Sequence, residues 1–188
     1  MITKLLYSAH KYIVNMYLGV IMSGFVMIPI RPYLMRLAGV KIGRRAHISR
    51  GAIINPAAKN IGIGDLFVCG MDVFLDGTSR LEIGNRVHIG LRSSIITATH
   101  NIMPSIYRRD RSDLLHRPVT IEDGVWIGAH SIILPGVHIQ KGCVIGAGST
   151  VTTSCLSNGL YVGSPARRIK DLPVDTAAPF EGGVEVLA

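Results

Sequence analysis

His100 closes the run "TATH" (Thr97–His100) and stands immediately before a basic, irregular segment that holds Arg108, Arg109, Arg111, His116 and Arg117. A neutral imidazole titrates near pH 6.5, so it suits taking a proton from a weak nucleophile such as a hydroxyl at neutral pH. Asp110 and Asp113 are the carboxylates near enough in sequence to orient it, and the sequence does not choose between them. A second chemistry is open as well. His100, His116 and His138 could form a three-histidine set, which zinc takes when the rings converge. Cys69, Cys143 and Cys155 are scattered and form no CxxC pair, so they read as buried, reduced thiols rather than a disulfide framework or a metal knot. The run "GAGST" is not a phosphate loop, because no Gly-Lys-Ser/Thr follows at the required spacing. No aromatic-interleaved basic motif points to nucleic acid.

Such side chains need a frame, and the frame is a repeat. Aliphatic anchors recur at every sixth position: Ile121, Ile127, Ile133, Ile139, Ile145 and Val151, and before them Ile83, Ile89 and Ile95. Earlier blocks keep the rhythm at Ile63, Cys69, Leu75 and Leu81 and at Ile42, Ile48 and Ile54. The residue after the anchor is often Gly, and a small or branched residue usually stands four past it. A period of six fits neither a helix nor one long strand. It fits short strands whose alternate residues point inward, joined by tight corners, with like positions stacked coil upon coil. The glycine after the anchor is expected to serve the corner. Register slips, as between Leu81 and Ile83, imply local bulges or turns.

The rhythm breaks after His100. Ile121 takes the slot due to residue 101, so residues 101–118 are expected to protrude as a loop while the coil continues beneath. Alternation turns His100 outward at the root of that loop. With the loop excised, His138 falls one coil later on the same face.

The chain has 188 residues, 48% apolar and 17% charged, which is enough for one domain with a substantial core. Only 6% is aromatic, so the core must be aliphatic. The formal charge of +8 implies an anionic partner without naming it. The stretch "YIVNMYLGVIMSGFVMIPI" (Tyr12–Ile30) is uncharged and flanked by Lys4, Lys11, Arg31 and Arg36. It could form a helical cap, lie in a membrane surface, or span a membrane. The expected organisation is an N-terminal helical, apolar and basic segment (1–39), the solenoid (40–170) and a tail (171–188).

Four segments, "TATH", "PVTIEDGVWIGAHSIILPGV" (Pro118–Val137), "VIGAGSTVT" (Val144–Thr152) and "YVGSPARRIK" (Tyr161–Lys170), together resemble the hexapeptide-repeat acyltransferases, and among them the galactoside and maltose O-acetyltransferases. The resemblance implies an all-β fold, a left-handed parallel β-helix with an N-terminal α-helical segment, three hexads to a coil. It implies acetyl-CoA as acyl donor with no metal, and a sugar or glycan, such as an envelope or capsular polysaccharide or its precursor, as acceptor. It makes His100 the general base of a direct transfer, with no covalent acyl-enzyme. It places Trp126, Ala129, Ala147, Gly148, Thr152, Arg167 and Lys170 along the donor, and Asp76 and Arg108 toward the acceptor. It also implies a homotrimer whose protruding loops wall the neighbour's site. Thr153 departs from a position that is often Lys, which would weaken phosphate contact or pass it to Arg168. Residues 70–72 offer no counterpart to an upstream sugar-binding Asn. The expected setting is cytoplasmic, peripheral to the inner face of the cell membrane. Two other classes compete: a metal-dependent lyase similar to γ-type carbonic anhydrases, and a non-catalytic β-helix scaffold.

Overall fold

Inward-facing aliphatic residues spaced by six stack into a column, and the rest of the architecture follows from that stacking. A computed structural model describes residues 30–55, 57–106, 108–109 and 113–174. They form a left-handed parallel β-helix of triangular section, with five full coils and part of a sixth. The first face stacks Lys41–Ile42, Ile61–Ile63, Leu81–Ile83, Val119–Ile121 and His138–Ile139. The second face stacks His47–Ile48, Val68–Cys69, His88–Ile89, Trp126–Ile127, Val144–Ile145 and Gly159–Gly163. The third stacks Ile53–Asn55, Phe74–Asp76, Ser94–Ile95, Ile132–Ile133 and Thr150–Val151.

The anchors lie inside, with Cys69, Ile95, Ile127, Ile133, Ile139 and Ile145 all fully buried. The residues four past an anchor also point inward: Val73, Val87, Ser93, Val125, Ser131, Cys143 and Ser149 are at 0% exposure. A buried hydroxyl needs a partner, and these have one. Ser93 Oγ donates to the Gly128 carbonyl at 3.0 Å and Ser131 Oγ to that of Gly146 at 3.1 Å, binding coil to coil.

The corners differ from the sequence expectation. The residue that adopts the left-handed backbone is three past the anchor; it is glycine at Gly51, Gly124, Gly136, Gly142 and Gly148, but Arg45, Leu66, Asp72, Arg86, Arg92 and His130 take the same place with φ between 52° and 59°. The glycine directly after the anchor serves close approach instead. A Cβ on Gly128 would lie 2.5 Å from the Ala147 backbone nitrogen of the next coil. The slip between Leu81 and Ile83 also has a plain cause. Both residues are buried on one three-residue strand, and the crossing that leads into it, from Leu75 to Ile83, is longer than the six residues of the regular edges.

Both ends of the described coil stack carry a cover. The helix α1 (Arg31–Leu37), with Pro32 in its first turn, buries Arg31 and Met35 against the first coil, and the Arg31 guanidinium donates to the Ile48 carbonyl. At the other end Gly159–Gly163 pairs antiparallel with Ala166–Asp171, extending the second face. Arg168 clamps that hairpin. It donates to the carbonyls of Leu156, Ser157 and Asn158 and to Asp171, and lies over the Tyr161 ring. The proposed surface or spanning segment (Tyr12–Ile30) lies, but for Ile30, outside the described residues, as does most of the tail. Among the described residues no helix is long and apolar enough to cross a membrane.

Candidate active site

The coil stack leaves its rhythm at one edge, between the third face and the first. Ile83 pairs with Ile121 and Ile121 with Ile139, so the first face closes over the excursion in unbroken register. The slot that His100 would have occupied is filled by Thr120, which pairs with His138. His100 itself has left the coil. The last buried residue before the departure is Thr97, and the next three, Ala98–His100, pair antiparallel with Leu114–His116 as the base of a projecting hairpin. The expected loop is therefore a two-stranded ribbon that starts three residues earlier, and Thr99, four past Ile95, is exposed where its counterparts Ser131 and Ser149 are buried.

That ribbon decides the chemistry of His100. Its Nδ1 lies 2.6 Å from the backbone carbonyl of Asp113. A carbonyl only accepts, so Nδ1 carries the hydrogen of the neutral ring and Nε2 presents its lone pair. The Nη2 of Arg109 donates to that lone pair at 2.9 Å. Asp113 thus orients His100 through its main chain, while its carboxylate holds Asn101 through the backbone N–H and the side-chain amide. Asp110 falls outside the described residues.

The root of the ribbon is a buried polar knot that single-residue reading underestimated. Asp76, 6% exposed, accepts from the N–H and hydroxyl of Thr78 with one oxygen and from the Thr97 N–H with the other. Burial pushes its pKa up, but these donors together outweigh it and hold the carboxyl below its ordinary value. Thr97 Oγ1 donates back to the Asp76 carbonyl and accepts from the Ser79 N–H. The Thr78 carbonyl faces His116 Nδ1 at 3.1 Å. Asp76 was expected to contact the acceptor; its carboxylate instead anchors the corner from which the hairpin springs. Thr97 was legible only as the residue before the break.

The other expected residues are spread along the prism. Trp126 projects from the second face, 58% exposed, between His88 and Val144 in register. Ala129, Ala147 and Gly148 follow it around the next edge, where the Gly148 N–H donates to the Ala129 carbonyl. Thr152 is exposed after the third face, and Arg167 and Lys170 are exposed on the C-terminal hairpin. Arg168 is committed to main-chain carbonyls, so it does not take over from the position of Thr153. Arg108 sits at the hairpin end, its guanidinium near the Met103 carbonyl at 3.4 Å and away from His100 in its described contacts.

In a triangular section the edge that carries His100 lies opposite the face that carries Trp126, so one chain does not bring them together. The three histidines do not converge either: His116 meets Thr78, and His138 meets Glu122 at 2.6 Å. Among the described residues no group of three or more His, Cys, Asp or Glu side chains is placed to hold a metal. Cys69 and Cys155 are buried thiols that desolvation pushes up to about 12, and none of the cysteines lies at His100.

Comparison with known proteins agrees with this fold. Residues 118–153 match the family described as bacterial transferase hexapeptide (six repeats). A galactoside O-acetyltransferase of Lactococcus lactis is 36% identical over 134 residues, which cover 70% of this chain and 64% of the relative, under two-thirds of its length. A candidate colanic acid biosynthesis acetyltransferase of Escherichia coli is 29% identical over 146 residues, 75% of this chain and 74% of that one. Among solved structures, a hexapeptide-repeat acetyltransferase of Vibrio cholerae complexed with acetyl-coenzyme A superposes with a TM-score of 0.78 at 28% identity, covering 89% of both chains.

Proposed function

We propose that this chain, whose residues 118–153 match the hexapeptide-repeat family, is an acetyl-CoA-dependent O-acetyltransferase acting on a hydroxyl of a sugar or glycan. The observation that carries the reading is the state of His100. The Asp113 carbonyl holds the hydrogen on Nδ1, so Nε2 is the basic nitrogen, and Arg109 donates to it. A sugar hydroxyl loses its proton to Nε2 as its oxygen attacks the acyl carbon; the same proton then goes to the departing sulfur. A base so placed contributes about 10²–10⁴-fold in rate. Backbone N–H groups facing the developing oxyanion, and the alignment of the two substrates, supply the remainder.

Acetyl-CoA supplies the activated thioester. The strip formed by Trp126, Ala129, Ala147 and Gly148 suits an extended pantetheine arm: an exposed indole, then small residues that leave the main chain open. Arg167 and Lys170 lie further along, exposed and without carboxylate partners among the described residues, where phosphates need cations. Thr152 borders the same strip. Because this strip and His100 lie on opposite sides of one prism, a complete site needs a second copy, which supports a homotrimer with sites between subunits. Asp76 acts by fixing the hairpin root, and Arg108 guards the acceptor side. An envelope or capsular polysaccharide precursor is the acceptor class favoured by the likeness to the Escherichia coli colanic acid biosynthesis acetyltransferase, and assembly of such precursors would set the protein against the inner membrane face.

The deciding measurement is acetyl transfer from acetyl-CoA to a panel of sugars and glycans by wild type and His100→Ala. Transfer by wild type that falls at least a hundredfold in the variant, with an unchanged melting profile, supports the reading. Undiminished transfer by His100→Ala would sink it.

A further inference from the structure

We infer that Arg109 selects acceptors that carry an anion beside the hydroxyl to be acetylated, a carboxylate or a phosphate on the sugar; this rests on the acyl-transfer reading above. The starting point is a conflict at Nε2. That atom must receive the acceptor's proton, yet its lone pair is already occupied by the Arg109 guanidinium at 2.9 Å. A hydroxyl can approach only when the guanidinium moves aside.

What receives the guanidinium decides which acceptors react. Among the described residues no acid competes for it. Arg109 has no carboxylate partner among the described residues, and the one described acid of the hairpin, Asp113, has its carboxylate committed to Asn101. Arg108 and Arg117, exposed nearby in sequence, add positive charge of their own. An acceptor with a carboxylate or phosphate next to its reactive hydroxyl offers the fork of two parallel hydrogen bonds that guanidinium prefers. The anion then draws Arg109 off Nε2 as the hydroxyl arrives on it. A neutral sugar brings no such group and meets a covered base. Arg109 is thus a specificity-determining residue beside the base, and the anionic partner implied by the net charge of +8 becomes the acceptor itself.

The test compares wild type, Arg109→Ala and Arg109→Lys on matched neutral glycosides, uronosides and sugar phosphates, using release of free thiol from acetyl-CoA. Wild type should favour the charged member of each set by tenfold or more in kcat/KM. Arg109→Ala should erase that preference by lowering the charged acceptor and leaving the neutral one unchanged or faster, because Nε2 is uncovered. Arg109→Lys, which keeps the charge without the fork, should fall between. A stronger effect with uronosides names the carboxylate as the natural group, and one with sugar phosphates names the phosphate. Equal wild-type activity on neutral and charged acceptors, or an equal loss on both in Arg109→Ala, overturns the proposal. Equilibrium dialysis of the same uronosides and phosphates, without acetyl-CoA, separates the two readings. Arg109-dependent anion binding with no transfer to any sugar would retain the anion site and reject the acyltransferase. Transfer without anion preference would do the reverse.

Discussion

Two edges of the triangular coil turn in the same number of residues in each coil, whereas the third does not. On the first two edges, successive anchors are six apart throughout, as from Ile83 to Ile89 to Ile95 and from Ile121 to Ile127 to Ile133. On the third, Ile133 leads to Ile139 in six, while Ile95 leads only to Ile121. The regular edges are locked by a left-handed residue three past the anchor in every coil and, at most of their corners, by a glycine directly after the anchor that lies close against the next coil. The third edge does not repeat that lock, since only its Ile133–Ile139 crossing has a left-handed residue three past the anchor, Gly136, and it accepts insertions because the entropy of closing a loop grows slowly with its length. Chemistry collects on the unlocked edge because only there can the chain leave the prism. Asp76, Thr97, His100, Arg109 and Asp113 all belong to it or to the hairpin that it carries.

Substitutions on the two kinds of region should therefore separate activity from stability. The largest effect is expected at His100: His100→Ala should lower acetyl transfer by about 10²–10⁴-fold, with urea unfolding unchanged, since half-buried His100 contributes little packing. The opposite result is expected on the locked column. Ile127→Ala, at 0% exposure between Ile89 and Ile145, should cost about 2–5 kcal/mol of unfolding free energy, read by chemical denaturation.

Asp76→Asn tests the join between the regions. Its folded carboxyl lies below the ordinary value near 3.8, so its stabilisation is complete above that pH and disappears as pH falls through the folded value. Wild type should therefore exceed Asp76→Asn in stability by about 1–3 kcal/mol at pH 7, with the gap closing below pH 3.8. A gap that does not change with pH would assign the loss to packing instead. The smallest effect belongs to the exposed hairpin: Ile106→Ser, at 83% exposure, should stay within about 0.5 kcal/mol of wild type in the same denaturation assay.

What the sequence by itself determined is what repeats. A hexad constrains each residue through neighbours one coil away, and the same side-chain types recur wherever the same constraint recurs. The aliphatic column, the short strands, the existence of a break and the resumption at Ile121 were all legible for that reason, although the chain leaves the coil after Thr97 and not after residue 100. The role of the anchor-adjacent glycines was misread, since a close approach between coils leaves no mark in sequence that differs from a turn. Tertiary structure alone decided the site. The pairing of Ala98–His100 with Leu114–His116, the carbonyl that sets the tautomer of His100, the guanidinium over its Nε2 and the withdrawal of Asp76 into a buried knot each join residues far apart in sequence. Such contacts occur once, so no periodicity announces them. They depend on where the hairpin folds back, and a one-dimensional repeat cannot specify that.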